Sequence, residues 1–171
     1  MRGDISIIRL LNAVLTNELT AVNQYFLHAR MYESWGFAHL GRVTYEESIG
    51  EMKHADKLIK RVLFLNGLPN LQDLHKLKIG ESVAEALAAD LAIELGGREA
   101  QGEAIRACEA AGDFVSREIL VAIMADTEEH VDFLETQLSL IRAVGEQNYL
   151  QSVIGEIGPD NSATGGGLYG G

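Results

Sequence analysis

The chain has only two prolines, Pro69 and Pro159, so long stretches contain no residue that must break a helix. Apolar residues recur at spacings of three and four, as at Ile8, Leu11 and Leu15, which is typical of an amphipathic helix. Short alternating runs rich in β-branched residues, the usual sign of strands, are absent. The sequence therefore predicts an all-α fold.

Capping residues and glycines set the expected bounds of five helices. Ser82 with Glu85 three residues later matches a capping box, and Asn66-Gly67 before Pro69 is typical of a helix end. The predicted helices run from Asp4 to Trp35, from Ala38 to Leu65, from Ser82 to the turn at Gly112, from Asp113 to Gly145, and from Glu146 to Glu156.

The connections predict how these helices pack. The turns at Gly36 and Gly112 are short, so the first pair of helices should be antiparallel, as should the second pair. The middle connection of about 15 residues can extend about 50 Å, which exceeds the roughly 45 Å length of a 30-residue helix. Helices two and three should therefore be parallel, in a four-helix bundle with one long crossover and a short fifth C-terminal helix.

The end of the chain differs in composition from the rest. Residues 1–157 are expected to form a single domain, whereas residues 158–171 are rich in glycine and are expected to be disordered. An alternative is that the tail is a docking tag, recognised through Leu168-Tyr169.

Charge and cysteine content exclude several classes of function. Acidic residues outnumber basic ones by 25 to 14, which disfavours nucleic acid and anionic membranes as partners and favours cations. No stretch without Asp, Glu, Lys or Arg exceeds 11 residues, against roughly 20 needed to span a membrane. The N-terminus does not match a signal peptide, so a cytoplasmic location is expected. The single cysteine, Cys108, excludes an intrachain disulfide and a multi-cysteine metal site.

Five acidic and histidine residues lie within the apolar stripes: Glu18, Glu51, His54, Glu94 and His130. Unpaired carboxylates on a core face cost several kcal/mol, so something must compensate them. Buried salt bridges, or helices rotated so that these residues face water, are the alternatives. The stripes contain few cationic side chains, and a bound metal explains the pattern better.

The spacing of these residues supports a metal site. Glu51 and His54 are three residues apart and so share one helix face, and the offset of 76 residues from Glu18 to Glu94 recurs from His54 to His130. Paired Glu-His motifs together with a Glu from each other helix form the di-iron centre of some helix bundles. Carboxylate and imidazole ligands suit iron, and also manganese or zinc.

The chain resembles the bacterioferritin family along residues 1–157. Characteristic stretches are Asn23 to Met31, Glu51 to Asp56, Leu68 to Leu74 and Gln147 to Gln151. The resemblance implies a ferroxidase that forms a 24-subunit cage, oxidises Fe(II) and stores ferric mineral. It implies that Glu18, Glu51, His54, Glu94 and His130 are the catalytic and metal-binding residues. It also implies that Met52 is the axial ligand of haem b at a two-fold interface, and that an electron-donor protein serves iron release.

Thr127 departs from the family pattern, in which this position holds a sixth ligand, a glutamate. A neutral hydroxyl is a poor ligand for Fe(II) compared with a carboxylate. Glu128 and Glu129 are rotated about 100° and 200° away on the helix. We therefore expect an asymmetric site that oxidises iron slowly by itself, with a second bacterioferritin subunit type as a possible companion.

Several residues permit more than one interpretation from sequence alone. Met52 could fill a gap in the core, and Tyr25 could be a core aromatic or a redox residue near the metals. His28, His39 and His75 have no acidic partner at ligand spacing and are expected at the surface or at interfaces. At the level of function, two alternatives to a self-sufficient iron-storing ferroxidase are a haem-bearing structural subunit of a mixed cage and a smaller di-iron oxygenase or peroxidase.

Overall fold

The structure is a computed structural model that describes residues 1–155, and the predicted tail at 158–171 lies outside this range. All its regular structure within these residues is helical, which confirms the all-α prediction. The helices are α1 (Ile5–Ser34), α2 (Ala38–Phe64), α3 (Val83–Ala111), α4 (Phe114–Val144) and α5 (Glu146–Ser152).

The predicted caps start three of the helices. Asp4, Ser82 and Asp113 accept hydrogen bonds from the backbone N–H groups of Ser6, Glu85 and Ser116 respectively. The Glu85 carboxylate accepts from the N–H of Glu81, so only half of the expected capping box forms. Gly112 ends α3 with φ +69°, a left-handed conformation that glycine adopts without strain.

Cross-helix contacts define the bundle. Residue numbers rise along one helix as they fall along its neighbour, so α1 is antiparallel to α2 and α3, and α4 is antiparallel to α2 and α3. It follows that α2 and α3 are parallel, as the long crossover predicts. Between α1 and α2, Glu18 contacts His54 and Val22 contacts Ser48, and between α1 and α3, Glu18 contacts Gln101 and His28 contacts Asp90. Between α2 and α4, Arg61 contacts Ser116 and His54 contacts Asp126. Between α3 and α4, Arg98 contacts Glu128 and Glu94 contacts His130.

The core consists of two apolar clusters with a polar layer between them. Both clusters are fully buried and exclude water from the two ends of that layer. One cluster includes Leu11, Leu15, Leu58, Val62, Cys108, Leu120 and Ile123, and the other includes Tyr32, Leu40, Leu87, Leu134 and Tyr149.

Polar side chains of α1 hold the crossover in place. They recur at multiples of four residues and therefore lie along one helix face. Backbone N–H groups of Asn70, His75, Lys78 and Gly80 donate in turn to Asn12, Thr20, Gln24 and His28. The extended segment thus runs along α1, which satisfies backbone groups that no helix or strand would satisfy.

The expectation that His28 lies at the surface is wrong. Its ring is fully buried, and Nδ1 lies 2.8 Å from Asp90 Oδ1. The N–H of Gly80 donates to Nε2, so in the neutral ring Nδ1 carries the proton and donates to Asp90. His39 and His75 are exposed, as predicted.

The fifth helix is shorter than predicted. It ends at Ser152, and the predicted last residue, Glu156, lies outside the described residues. The carbonyl oxygen of Val153 accepts from the N–H groups of His39 and Leu40 at the start of α2, whose N-cap residue makes no side-chain hydrogen bond. The chain leaves the helix early because its carbonyl groups cap α2 instead.

Helix α1 is long and apolar enough to span a membrane by length and composition, with an 18-residue window of mean hydropathy 1.3. The sequence analysis considered only the length of charge-free stretches and did not predict that this helix is apolar enough to span a membrane. Half of that window is buried inside the bundle, where Leu11, Val14 and Leu15 fill the core. Its hydropathy is therefore the hydropathy of a core helix in a folded domain.

Asp113 joins the start of α4 to α2, and its loss should destabilise the fold. Arg61 donates to Asp113 at 2.6 Å and to Ser116 at 2.7 Å. Burial alone would raise the pKa of Asp113, but hydrogen bonds from Ser116 and Arg61 lower it below its usual value. Asp113→Ala should reduce the free energy of unfolding by about 2–4 kcal/mol, because it removes a cap and leaves Arg61 buried without its partner. Urea denaturation at neutral pH would measure this loss.

The control is Asp56→Ala, which breaks an exposed pair with Lys60 and should cost less than about 1 kcal/mol. Because the folded-state pKa of Asp113 is lowered, its contribution is present above the unfolded-state pKa of about 3.9 and is lost as pH falls through the folded-state value. The free energies of unfolding of the two variants should therefore converge in acid. Equal losses for both at neutral pH would contradict this role.

Candidate metal centre

The five residues predicted to bind metal meet in the polar layer at the middle of the bundle. Each is nearly inaccessible to solvent. Glu18, Glu51 and His54 form one potential metal-binding group, and Glu51, Glu94 and His130 form another, with ligand atoms within 4.8 Å of one another in each group. Glu51 belongs to both groups. Two adjacent groups that could each hold a cation therefore share one carboxylate.

Short contacts hold these ligand atoms together. His54 Nδ1 lies 3.1 Å from Glu18 Oε2 and 3.2 Å from Glu51 Oε2. His130 Nδ1 lies 2.8 Å from Glu94 Oε1. The i, i+3 spacing places Glu51 and His54 on one face of α2, as the sequence predicts.

The electrostatics of the centre favour positive charge. Burial lowers the pKa of His54, but hydrogen bonds to Glu18, Glu51 and Asp126 outweigh burial and raise the value to about 11. Burial also lowers the pKa of His130, but the hydrogen bond with Glu94 outweighs burial and raises the pKa above its usual value. Burial raises the pKa of Glu51 well above its usual range, partly opposed by the His54 hydrogen bond. Protons on His54, His130 and Glu51 are therefore favoured when no cation is present, and divalent cations would displace them.

Tyr25 is fully buried beside the centre. Its hydroxyl donates to Glu94 Oε1, and its ring meets the ring of His130 edge-on with centroids 5.2 Å apart. Burial and the charge of Glu94 raise the pKa of Tyr25 well above its usual value, so the phenol keeps its proton. The sequence left a core role and a redox role open, and the structure places Tyr25 in contact with a predicted ligand.

Sequence reasoning missed Asp126, which supports a predicted ligand. Its carboxylate lies 2.9 Å from His54 Nε2, on the side of the ring opposite to Glu18 and Glu51. A carboxylate at the second ring nitrogen fixes the orientation of a metal-binding histidine. The available signal was position, since Asp126 lies one helical turn before His130 on α4.

Thr127 is buried in the centre and contributes no carboxylate. Its hydroxyl oxygen accepts a hydrogen bond from Gln101 Nε2 at 3.0 Å, and Gln101 is a second residue that sequence reasoning missed. Glu128 points outward and pairs with Arg98 at the surface. Glu129 is exposed and belongs to neither metal-binding group.

A cavity of about 390 Å³ reaches the centre from the surface between α2 and α4. Glu51, His54 and His130 line its inner part. Its other acidic lining residues would raise the local concentration of cations and exclude anions. These residues are Glu46, Glu47, Asp126 and Glu129.

Met52 lies on the outer surface of α2, next to Glu51 in sequence but facing away from the centre. Half of it is exposed to solvent, so it does not fill a gap in the core of the subunit. Ile49, one turn earlier, and Phe26 on α1 are also exposed large apolar residues. Met52 thus has the accessibility that a ligand shared between subunits requires.

Comparisons with known proteins agree with this architecture. The ferritin-like domain family matches residues 8–144. The chain is 47% identical to a bacterioferritin of Brucella melitensis over 88% of this chain and 94% of that protein, and 49% identical to one of Rhodobacter capsulatus over 87% and 92%. It is 45% identical to a bacterioferritin of Streptomyces coelicolor over 96% of this chain and 99% of that protein. The chain therefore belongs to the bacterioferritins, within the ferritin-like superfamily.

Proposed function

We propose that this protein stores iron: it oxidises Fe(II) inside each subunit and keeps the ferric product as mineral within a cage of 24 subunits. The observation that carries this proposal is Glu51, a buried carboxylate common to two adjacent groups of potential ligands. An acidic cavity gives cations a path to it. The bacterioferritin relatives support the same function.

The residues present suit Fe(II) as substrate. Three glutamates and two histidines offer oxygen and nitrogen donors of the type that iron prefers. In the proposed reaction two Fe(II) ions each give up one electron, and dioxygen or peroxide accepts the pair. Glu51 would hold both ions, while Glu18 with His54 and Glu94 with His130 would hold one each. Asp126 would orient His54, and Tyr25 would keep Glu94 in place.

We further propose that the cage binds haem b at two-fold interfaces, with one Met52 from each of two subunits. The exposed thioether fits such a site because Ile49, one turn earlier on the same helix, adds exposed apolar surface beside it. Such a haem would supply one-electron chemistry, which a donor protein would use to reduce the stored iron for its release. The charge of −11 per chain disfavours nucleic acid and anionic membranes as partners, and the proposed place of iron storage is the cytoplasm.

A second candidate function is a haem-bearing subunit of a mixed cage. Thr127 favours it, because a neutral hydroxyl stands where the family has a carboxylate. In that arrangement a second bacterioferritin subunit type would perform most of the oxidation, and this chain would contribute haem and cavity wall.

Size and iron uptake together test the proposal. The purified protein should elute from a gel-filtration column as a 24-mer, and Fe(II) added in air should remain in that fraction as ferric iron. The second candidate would be favoured if this chain alone oxidises Fe(II) slowly and if a mixed cage, co-expressed with a second subunit type, oxidises it faster. A small oligomer that retains no iron would contradict both.

A further inference from the structure

Gln101 on α3 is a buried side chain whose hydrogen bonds end inside the metal centre. It follows Glu94 by seven residues, about two helical turns, so both side chains face the bundle interior. Gln101 Nε2 lies 3.0 Å from Thr127 Oγ1 and 3.3 Å from Glu18 Oε1. The amide therefore links α1, α3 and α4 beside the position at which bacterioferritins are expected to have a sixth ligand.

The two carboxylate oxygens of Glu18 have different partners. Glu18 Oε1 accepts from the Gln101 amide, whereas Glu18 Oε2 lies 3.1 Å from His54 Nδ1 within the first metal-binding group. One oxygen is thus held by a neutral donor and the other faces the ligands. Gln101 orients Glu18 so that it can offer a single oxygen to a cation.

The other end of the Gln101 amide has no such support. Its Oε1 atom is buried and has no hydrogen-bond partner among the described residues. A buried acceptor without a donor is destabilising, so fold stability does not account for a glutamine at this position. Its two donor contacts, to Glu18 and Thr127, do account for it.

We propose that Gln101 and Thr127 act as a coupled pair that replaces the bridging carboxylate and limits the centre to one tightly bound cation; this rests on the proposed function. Gln101 is a positioning residue that acts through Glu18. A carboxylate introduced at position 127 would extend toward the amide that now contacts Thr127. The second cation position therefore requires a change at both residues.

A double-mutant cycle tests the coupling. Wild-type protein, Gln101→Leu, Thr127→Glu and the double variant would each be titrated anaerobically with Co(II), and the visible absorption of bound Co(II) would report stoichiometry and affinity. Wild type should bind one ion tightly. Gln101→Leu should lower the affinity for that ion by about 10-fold, which is the lower end of the range for loss of a residue that orients a ligand. Thr127→Glu alone should add little affinity at the second cation position, whereas the double variant should bind two ions tightly.

Two further variants guard against trivial results. Gln137→Leu makes the same chemical change on α4, where Gln137 contacts Tyr149 away from the centre, and should leave Co(II) binding unchanged. Gln101→Met keeps the length of the side chain without its hydrogen bonds and replaces Gln101→Leu if the latter fails to fold. Circular dichroism and gel filtration would check each variant.

The outcomes separate this inference from the proposed function. The coupled pair is wrong if wild type already binds two ions tightly, or if Thr127→Glu alone creates the second site. It is also wrong if neither Gln101→Leu nor Gln101→Met changes the affinity for the first ion. Failure of wild type to bind any divalent cation would overturn the proposed function, and the pair with it.

Discussion

Replacing Glu51 with glutamine should abolish tight cation binding at the centre. Glu51 is the one carboxylate common to the two metal-binding groups. Loss of a residue that only supports a ligand already weakens metal binding by roughly 10–100-fold, so loss of a ligand shared by both groups should exceed about 100-fold. Anaerobic Co(II) titration would measure the affinity, and Fe(II) oxidation in air should fall to the rate without protein.

The fold should survive this change. Burial raises the pKa of Glu51 well above its usual range, because it disfavours the charged carboxylate. A glutamine has nearly the same shape and is neutral, so it adds no buried charge. Unchanged circular dichroism and unchanged assembly are therefore expected, which makes a loss of metal binding attributable to the ligand itself.

Glu129→Gln is the matched control for this experiment. Glu129 lines the same cavity but belongs to neither metal-binding group. The same chemical change there should slow cation entry slightly and leave the number of bound ions intact. If Glu51→Gln binds Co(II) as well as Glu129→Gln does, Glu51 is not a shared ligand and the proposed centre is wrong.

Periodicity made most of the fold predictable from the sequence. Each helix buries one face, so apolar residues at spacings of three and four mark it, and glycines and capping residues mark its ends. The length of the crossover then sets the topology, because only an extended chain of that length reaches from the end of α2 to the start of α3. Convergence of Glu18, Glu51 and Glu94 follows from the same reasoning, because core-facing acidic residues at similar heights in a bundle must meet.

Residues whose partners are distant in sequence were harder to predict. His28 was expected at the surface because no acidic residue lies near it on α1, yet Asp90 and the backbone of Gly80 reach it from other elements. Asp126 and Gln101 were missed for a similar reason. Each supports a ligand on a different helix, so the relevant spacing lies across the bundle and not along the chain.

Thr127 shows what the structure adds to a departure that the family resemblance implies. The resemblance implies that a neutral residue stands at the position of a ligand, and helix geometry argued against Glu128 or Glu129 as a substitute. The structure places Glu128 against Arg98 and gives Thr127 a partner, Gln101. The hydroxyl is therefore part of a hydrogen-bonded arrangement that includes Glu18, and under the proposed coupling its effect on metal binding depends on that amide.

Haem should be lost entirely when Met52 is replaced by leucine. Leucine keeps the apolar surface but has no sulfur to bind iron, so the Soret absorption per subunit should fall to background. The cage should still assemble, because Met52 is half-exposed and belongs to neither buried cluster of the subunit. Met52→His should restore haem binding with an altered spectrum, because imidazole is also an axial ligand for haem iron.

Met124→Leu is the matched control for the haem experiment. Met124 lies on α4 near Gly102 of α3, away from the α2 surface that carries Met52, and its replacement should leave the Soret absorption unchanged. The two variants differ only in which methionine sulfur is removed, so a loss confined to Met52→Leu identifies the ligand. If Met52→Leu retains as much haem as Met124→Leu, Met52 contributes only apolar contact and the haem must be held by another residue.

Because each two-fold site would take one methionine from each subunit, a cage of mixed wild-type and Met52→Leu chains should lose a larger fraction of its haem than the fraction of variant chains. A loss smaller than the variant fraction, following its square, would show that one methionine is enough to hold the haem.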